Sequence, residues 1–208
     1  MRVLDLPQGS PEWLAARAGR VTASRISDVI AKIKSGEAAA HRDYRAQLVA
    51  EILTGRPQDD SFMNAEMQWG LDQEPFARGA YEVAKNVLVD QVGFIIHPSI
   101  ERAGASPDGI AGKGGLEIKC PKTATHLQYL LAGEVPSKYH PQMLWQAACG
   151  EFEYVDFVSY DPRLPAHLQL FVCRLERDEK RILDITAEVN VFLKEVDEII
   201  EQLNRKAA

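Results

Sequence analysis

The stretch SPDGIAGKGGLEIKCP, residues 106–121, decides how this chain is read. Asp108 follows a proline at a turn. Glu117 and Lys119 stand two apart in a short apolar segment, Leu116–Cys120, that reads as a β-strand closed by Pro121. Side chains alternate across a strand, so Glu117 and Lys119 share one face and Ile118 points to the other, towards the core. Gly112, Gly114 and Gly115 read as a permissive loop. Eight residues separate Asp108 from Glu117, few enough to bring the two carboxylates together. Two readings are open on spacing alone: a solvated hairpin edge, or a cation site built on a hairpin.

The rest of the chain fits one domain, 1–208, with an ordinary soluble composition: 46% hydrophobic and 26% charged residues in 208. No apolar run approaches the roughly 18 residues of a membrane span. The opening MRVLDLPQGSPEW lacks the apolar segment of a secretory signal, so a cytoplasmic protein is expected. Cys120, Cys149 and Cys173 are odd in number and far apart, which points to buried thiols rather than disulfides or a zinc site. His41, His97, His126, His140 and His167 have no ligand spacing. The net charge of −6 argues against a protein that coats nucleic acid nonspecifically. Charge is uneven, however. Residues 1–57 carry nine Lys/Arg against six Asp/Glu, and residues 176–208 carry six against nine.

Ser10-Pro11-Glu12 marks a helix start through Arg17. Further helices are expected at 23–32, 42–53 and 64–84, the last kinked by Pro75. Strands are expected at 87–97, 102–105 and 116–120, then helices at 123–131 and 138–149, then strands at 154–160 and 167–175. Ile182, Ile185, Val189, Phe192, Val196, Ile199 and Leu203 recur at three- and four-residue spacing, which predicts a long helix packed on one face. This order predicts a mixed α/β domain with a central sheet flanked by helices. Trp13, Trp69 and Trp145 are expected in the core.

Two carboxylates held close together repel unless a cation lies between them. Oxygen ligands favour Mg²⁺ or Mn²⁺ over zinc, and a lysine beside them can position water or stabilise phosphate charge. Asp…Glu-x-Lys therefore fits metal-assisted phosphodiester hydrolysis.

The segment SPDGI…GGLEIKCP resembles the core motif of the PD-(D/E)xK nucleases, and more closely that of the phage lambda exonuclease family. SPEWLAARAGRVTAS at 10–24, WGLDQEP at 69–75, YHPQ at 139–142, YDPR at 160–163 and ERDE at 176–179 resemble further family segments in the same order. The resemblance implies a restriction-endonuclease-like fold and a 5′→3′ exonuclease that degrades one strand of linear double-stranded DNA to mononucleotides, leaving 3′ overhangs for recombination. It implies Asp108, Glu117 and the Ile118 carbonyl as ligands of two Mg²⁺ ions, which Mn²⁺ can replace, with Lys119 on the attacking water and Glu74 nearby. Arg17, Ser24, Ser106 and Gln142 match positions that contact DNA phosphate, notably a terminal 5′-phosphate. Pro141 suggests that the helix bearing Gln142 begins near His140. The resemblance further implies a homotrimeric ring around DNA, with the basic N-terminal segment in its lining, a single-strand annealing protein as partner, and a phage or prophage gene acting in the bacterial cytoplasm. An endonuclease of the same superfamily and a non-catalytic DNA-end-binding module are the rival readings.

Overall fold

The computed structural model of the protein describes residues 1–58 and 64–207. Eight strands and seven α-helices follow in chain order among them: β1 (Arg2–Leu4), α1 (Pro11–Arg17), β2 (Val21–Thr22), α2 (Ile26–Val29), α3 (Ala39–Thr54), α4 (Ala65–Lys85), β3 (Phe94–Ile96), β4 (Ala103–Ala105), β5 (Gly109–Ala111), β6 (Gly114–Lys119), α5 (Thr123–Ala132), α6 (His140–Gly150), β7 (Tyr154–Tyr160), β8 (Leu170–Glu176) and α7 (Glu179–Ala207). The architecture is mixed α/β, as expected. The strands are divided between two four-stranded mixed sheets, ordered β1-β3-β4-β2 and β5-β6-β7-β8.

The second sheet carries the 106–121 stretch. β5 and β6 form an antiparallel hairpin in which Gly109 faces Leu116 and Ala111 faces Gly114. Its two-residue turn puts Gly112 at φ +59°, a left-handed conformation at the first central position that glycine adopts without steric cost. Gly114 and Gly115 lie within β6 and are buried, not in a loop. A Cβ on Gly114 would stand 2.0 Å from the Tyr154 ring, so the missing side chain lets β7 approach. β6 then runs parallel to β7 in a register that pairs Glu117 with Phe157 and Lys119 with Ser159. α5 and α6 form the crossover between them, as parallel strands require.

Strand alternation sets the two faces of this sheet. Leu116, Ile118 and Val158 pack with Ala77 and Tyr81 of α4. Val155 and Phe157 join the larger core with α6, α3 and α7, built around Trp145, Tyr44, Leu48 and Phe192. Glu117 therefore turns its side chain towards α6. α4 is locked onto the sheet by a polar cluster: Tyr81 donates to Asp156 Oδ2 at 2.8 Å, and Arg174 grips both oxygens of that carboxylate. Asp156 is 1% exposed, so its charge requires these donors.

Several boundaries differ from expectation. The strand expected at 87–97 shortens to Phe94–Ile96, with a single bridge from Asp90 to Ile110. The helix expected at 23–32 divides into a 3₁₀ turn, Ala23–Arg25, and the short α2. α4 runs unbroken from Ala65 to Lys85 with Pro75 inside it. α6 does begin at His140, as Pro141 suggests, after a 3₁₀ turn that takes up the start of the expected 138–149 span. Among the described residues, no helix is long and apolar enough to cross a membrane.

Candidate active site

A cleft of about 1560 Å³ opens beside the end of β6. Glu74, Asp108, Ile118 and Lys119 all line it, so α4, the start of β5 and the end of β6 converge there. Asp108 is tied into the hairpin twice. Its N–H donates to Leu116 O at 3.0 Å, and its Oδ2 accepts from the Ile118 N–H at 2.6 Å. Glu74 is held one helical turn before Arg78 by a 2.5 Å ion pair, and Arg78 Nε donates to the Asp108 carbonyl at 3.3 Å. That link fixes α4 against the hairpin.

Glu117 lies behind the cleft wall and is 1% exposed. Three side chains donate to it. Lys119 Nζ is 2.5 Å from Oε1, Gln142 Nε2 is 2.7 Å from both oxygens, and Gln146 Nε2 is 2.6 Å from Oε2. The Lys119 ammonium also stands 5.6 Å from the centroid of the Tyr139 ring.

The electrostatics follow from crowding acids in a poorly hydrated space. Burial, then the Glu117 charge and, less strongly, Glu74, push the Asp108 carboxyl up to about 8 against the pull of Lys119 and the Ile118 N–H. Burial likewise raises Glu74, with Arg78 and Lys119 opposing. Burial pulls the Lys119 ammonium down, but Glu117 and Asp108 outweigh it and hold it above the usual lysine range. Burial also pushes the neighbouring Cys120 thiol up to about 12, helped by Glu74 and Asp108, which disfavours its thiolate form. Two raised carboxylates facing the cleft, Asp108 and Glu74, with the buried Glu117 carboxylate behind its wall, offer the oxygen donors that suit a hard divalent cation. Asp108, Glu117 and the Ile118 carbonyl are the groups here that could hold one.

The residues expected to bind phosphate occupy different settings. Arg17 and Ser106 meet: Arg17 Nη1 is 3.4 Å from Ser106 Oγ. Trp13 joins them, donating from Nε1 to Ser106 Oγ at 3.0 Å beneath the Arg17 guanidinium, which lies 4.0 Å from the ring centroid. Ser24 is exposed in the Ala23–Arg25 turn, with its hydroxyl 3.3 Å from that of Thr22. Gln142 donates to Glu117, so the buried carboxylate sets its direction.

Two of the three tryptophans are not core residues. Trp145 is 0% exposed, but Trp13 and Trp69 line the cleft. Trp13 hydrogen-bonds at its edge, and Trp69 supports the Arg163 guanidinium at 4.6 Å. An indole joins an apolar body to a polar edge, which suits a half-buried wall. Cys173, expected to be buried, is partly exposed, whereas Cys120 and Cys149 are buried. None of the five histidines lines the cleft. Another group of possible ligands, Glu37, His41 and Glu195, lies near one point. Arg45 Nη1, 2.6 Å from both of its carboxylates, already stands where a cation would bind.

Gln146 and Arg78 were missed by sequence reasoning. Gln146 carried a usable signal. It lies one helical turn after Gln142 in the otherwise apolar run MLWQAACG, where a glutamine needs a buried partner.

Residues 12–153 match the YqaJ-like viral recombinase domain. No curated protein matches the chain. Among solved structures, an alkaline exonuclease from Laribacter hongkongensis, LHK-Exo, is 45% identical over 95% of this chain and 98% of its own, with a TM-score of 0.88. Its complex with dAMP gives the same values. A phage-related exonuclease from Haemophilus somnus 129PT is 16% identical over 88% of this chain and 96% of its own, with a TM-score of 0.69, a likeness of fold alone. The family and the alkaline exonuclease support a nuclease role in recombination. The chain belongs to the YqaJ-like viral recombinases, the lambda exonuclease family that its motifs resemble.

Proposed function

We propose that this protein is a Mg²⁺-dependent 5′→3′ exonuclease that degrades one strand of linear double-stranded DNA to mononucleotides. The observation that carries the reading is the convergence of Asp108, Lys119 and Glu74 at one cleft, with Lys119 joined to the buried Glu117 behind its wall. Bound divalent metal, two ions in this proposal, would supply charge stabilisation at the scissile phosphate and lower the pKa of attacking water. Asp108, Glu117 and the Ile118 carbonyl would hold the metal. Lys119 orients the water from the Glu117 side, Glu74 supplies a further acid at the cleft wall, and the closed hairpin keeps Asp108 from turning away.

Arg17 and Ser106 suit a terminal 5′-phosphate, since a guanidinium fork and a hydroxyl both donate to phosphate oxygens. Ser24 completes the proposed pocket by family resemblance, whereas Gln142, the other residue expected there, has its amide donor on Glu117. A mononucleotide is the expected product, and the alkaline exonuclease relative has been crystallised with one, dAMP. A homotrimeric ring with a basic lining, cooperation with an annealing protein, and action in the bacterial cytoplasm belong to the same proposal. A ring would retain an acidic protein on DNA topologically.

The test is Mg²⁺-dependent release of acid-soluble nucleotides from linear duplex, compared with closed circular duplex and with Lys119→Ala. Linear DNA should be degraded and circular DNA spared. Rapid cutting of the circle would favour an endonuclease. Binding to DNA ends without release of nucleotides would favour a non-catalytic module.

A further inference from the structure

Gln146 is fully buried in α6, and its two amide atoms are in opposite circumstances. Nε2 donates to Glu117 Oε2 at 2.6 Å. Oε1 is buried with no hydrogen-bond partner. An unpaired buried acceptor is unfavourable, yet the amide cannot be reversed, because its oxygen would then face the Glu117 carboxylate. The orientation of Gln146 is thus dictated by Glu117, at the expense of its own oxygen.

The donors around Glu117 are unequal. Oε2 is held by two neutral amides, those of Gln146 and Gln142. Oε1 is held by the Gln142 amide and the Lys119 ammonium. Neutral donors fix a carboxylate without cancelling its charge, whereas an ammonium occupies the place of a cation. Gln142 and Gln146 are one helical turn apart, so the rigid, buried α6 presents both amides to Glu117 from the same side.

We infer that Gln146 is a positioning residue for Glu117: with Gln142 it holds Oε2, so that Oε1 is the oxygen presented to a divalent cation. Lys119 Nζ stands on that oxygen, and a cation held there would take its place beside Oε1. Gln146 itself touches neither metal nor DNA and acts through Glu117. The inference rests on the metal-dependent reading proposed above.

The test uses the full chain without DNA and measures Mn²⁺ and Mg²⁺ binding by calorimetry, alongside metal-free thermal unfolding. Gln146→Met keeps the volume but removes the amide. The dissociation constant should rise by about 10–100-fold, the usual effect of losing a group that orients a metal ligand. The metal-free Tm should change little, because the unpaired Oε1 disappears together with the bond to Glu117. In nuclease assays the half-saturating Mg²⁺ concentration should rise by a similar factor, and excess Mg²⁺ should restore turnover to within a few-fold. If Gln146→Met fails to fold, Gln146→Asn, one methylene shorter, withdraws the amide while keeping the site polar, and should weaken metal binding in the same direction.

Unchanged metal affinity in the folded variant, with binding still abolished by Glu117→Gln, overturns this inference and leaves the metal-dependent reading intact. A lowered Tm with unchanged half-saturation has the same meaning. Wild-type protein whose metal binding is indifferent to Glu117→Gln overturns the metal-dependent reading itself, and this inference with it.

Discussion

Lys119 Nζ and Glu117 Oε1 are 2.5 Å apart on one face of β6, although one residue is almost wholly buried and the other opens to the cleft. Two-residue spacing on a strand made the pair neighbours, and the sheet made them unequal. Removing the ammonium by Lys119→Ala should lower turnover about 10²–10⁴-fold, the range for a positioned proton-transfer group. Single-turnover kinetics on linear duplex at saturating Mg²⁺ measures this. Turnover within a few-fold of wild type would remove Lys119 from the mechanism.

Asp108 gives the pH dependence. Its folded carboxyl sits at about 8 against an ordinary 3.8, so between those values the folded state keeps a proton that the unfolded state has released. This group therefore makes the metal-free protein less stable as pH rises from about 4 to about 8, with no further loss above. Asp108→Asn should flatten that part of the profile in chelator and raise Tm at pH 8. A divalent cation displaces the same proton, so metal affinity should climb with pH until about 8. A metal-free Tm profile that Asp108→Asn leaves unaltered would contradict the assignment.

Arg17 should govern end recognition. A charge-assisted hydrogen bond contributes about 1.5–3 kcal/mol, so Arg17→Ala should erase roughly 10–100-fold of preference for 5′-phosphorylated over 5′-hydroxyl ends. Hydrolysis of 5′-hydroxyl duplex should be nearly unchanged. Initial rates on the two substrates give the ratio directly, and equal wild-type rates on both would dismiss the pocket.

Gly114 tests the hairpin as a structural element. Gly114→Ala places a methyl against the Tyr154 ring, a ring that also carries the Arg174 guanidinium at 3.3 Å. Overpacking of this kind costs about 1–3 kcal/mol, which for a chain of this size is roughly 2–4 °C in Tm per kcal/mol. Thermal unfolding with chelator present measures it. An unchanged Tm would show that β7 can retreat freely.

Much of the fold could be read in the sequence wherever local chemistry is strong. Ser10 caps α1 as its position before Pro11 suggests, accepting from the Trp13 N–H at 3.1 Å. The apolar stripe became the buried face of α7 from Ile182 to Val196, with Ile199 partly buried, while Leu203, expected on the same face, is exposed near the helix end. Short and irregular pieces were less legible. β1 and β5 have three residues each and exist because partner strands supply their hydrogen bonds. Their own composition carries no comparable signal.

For the site, alternation along β6 was enough to place Glu117 with Lys119, and the spacing from Asp108 to Glu117 was enough for a hairpin to join them. Both follow from covalent geometry and need no knowledge of the rest of the chain. The sequence by itself also set the turn at Gly112 and the start of α6 at His140, because backbone preferences act over a few residues. Tertiary structure alone decided that the strands divide into two sheets, that Trp13 and Trp69 wall a cleft, that Gly114 and Gly115 admit neighbouring rings, and that Gln142 and Gln146 converge on Glu117. Those outcomes depend on which faces meet across 25 to 93 residues of chain, where packing and the cost of an unpaired buried charge choose the partners.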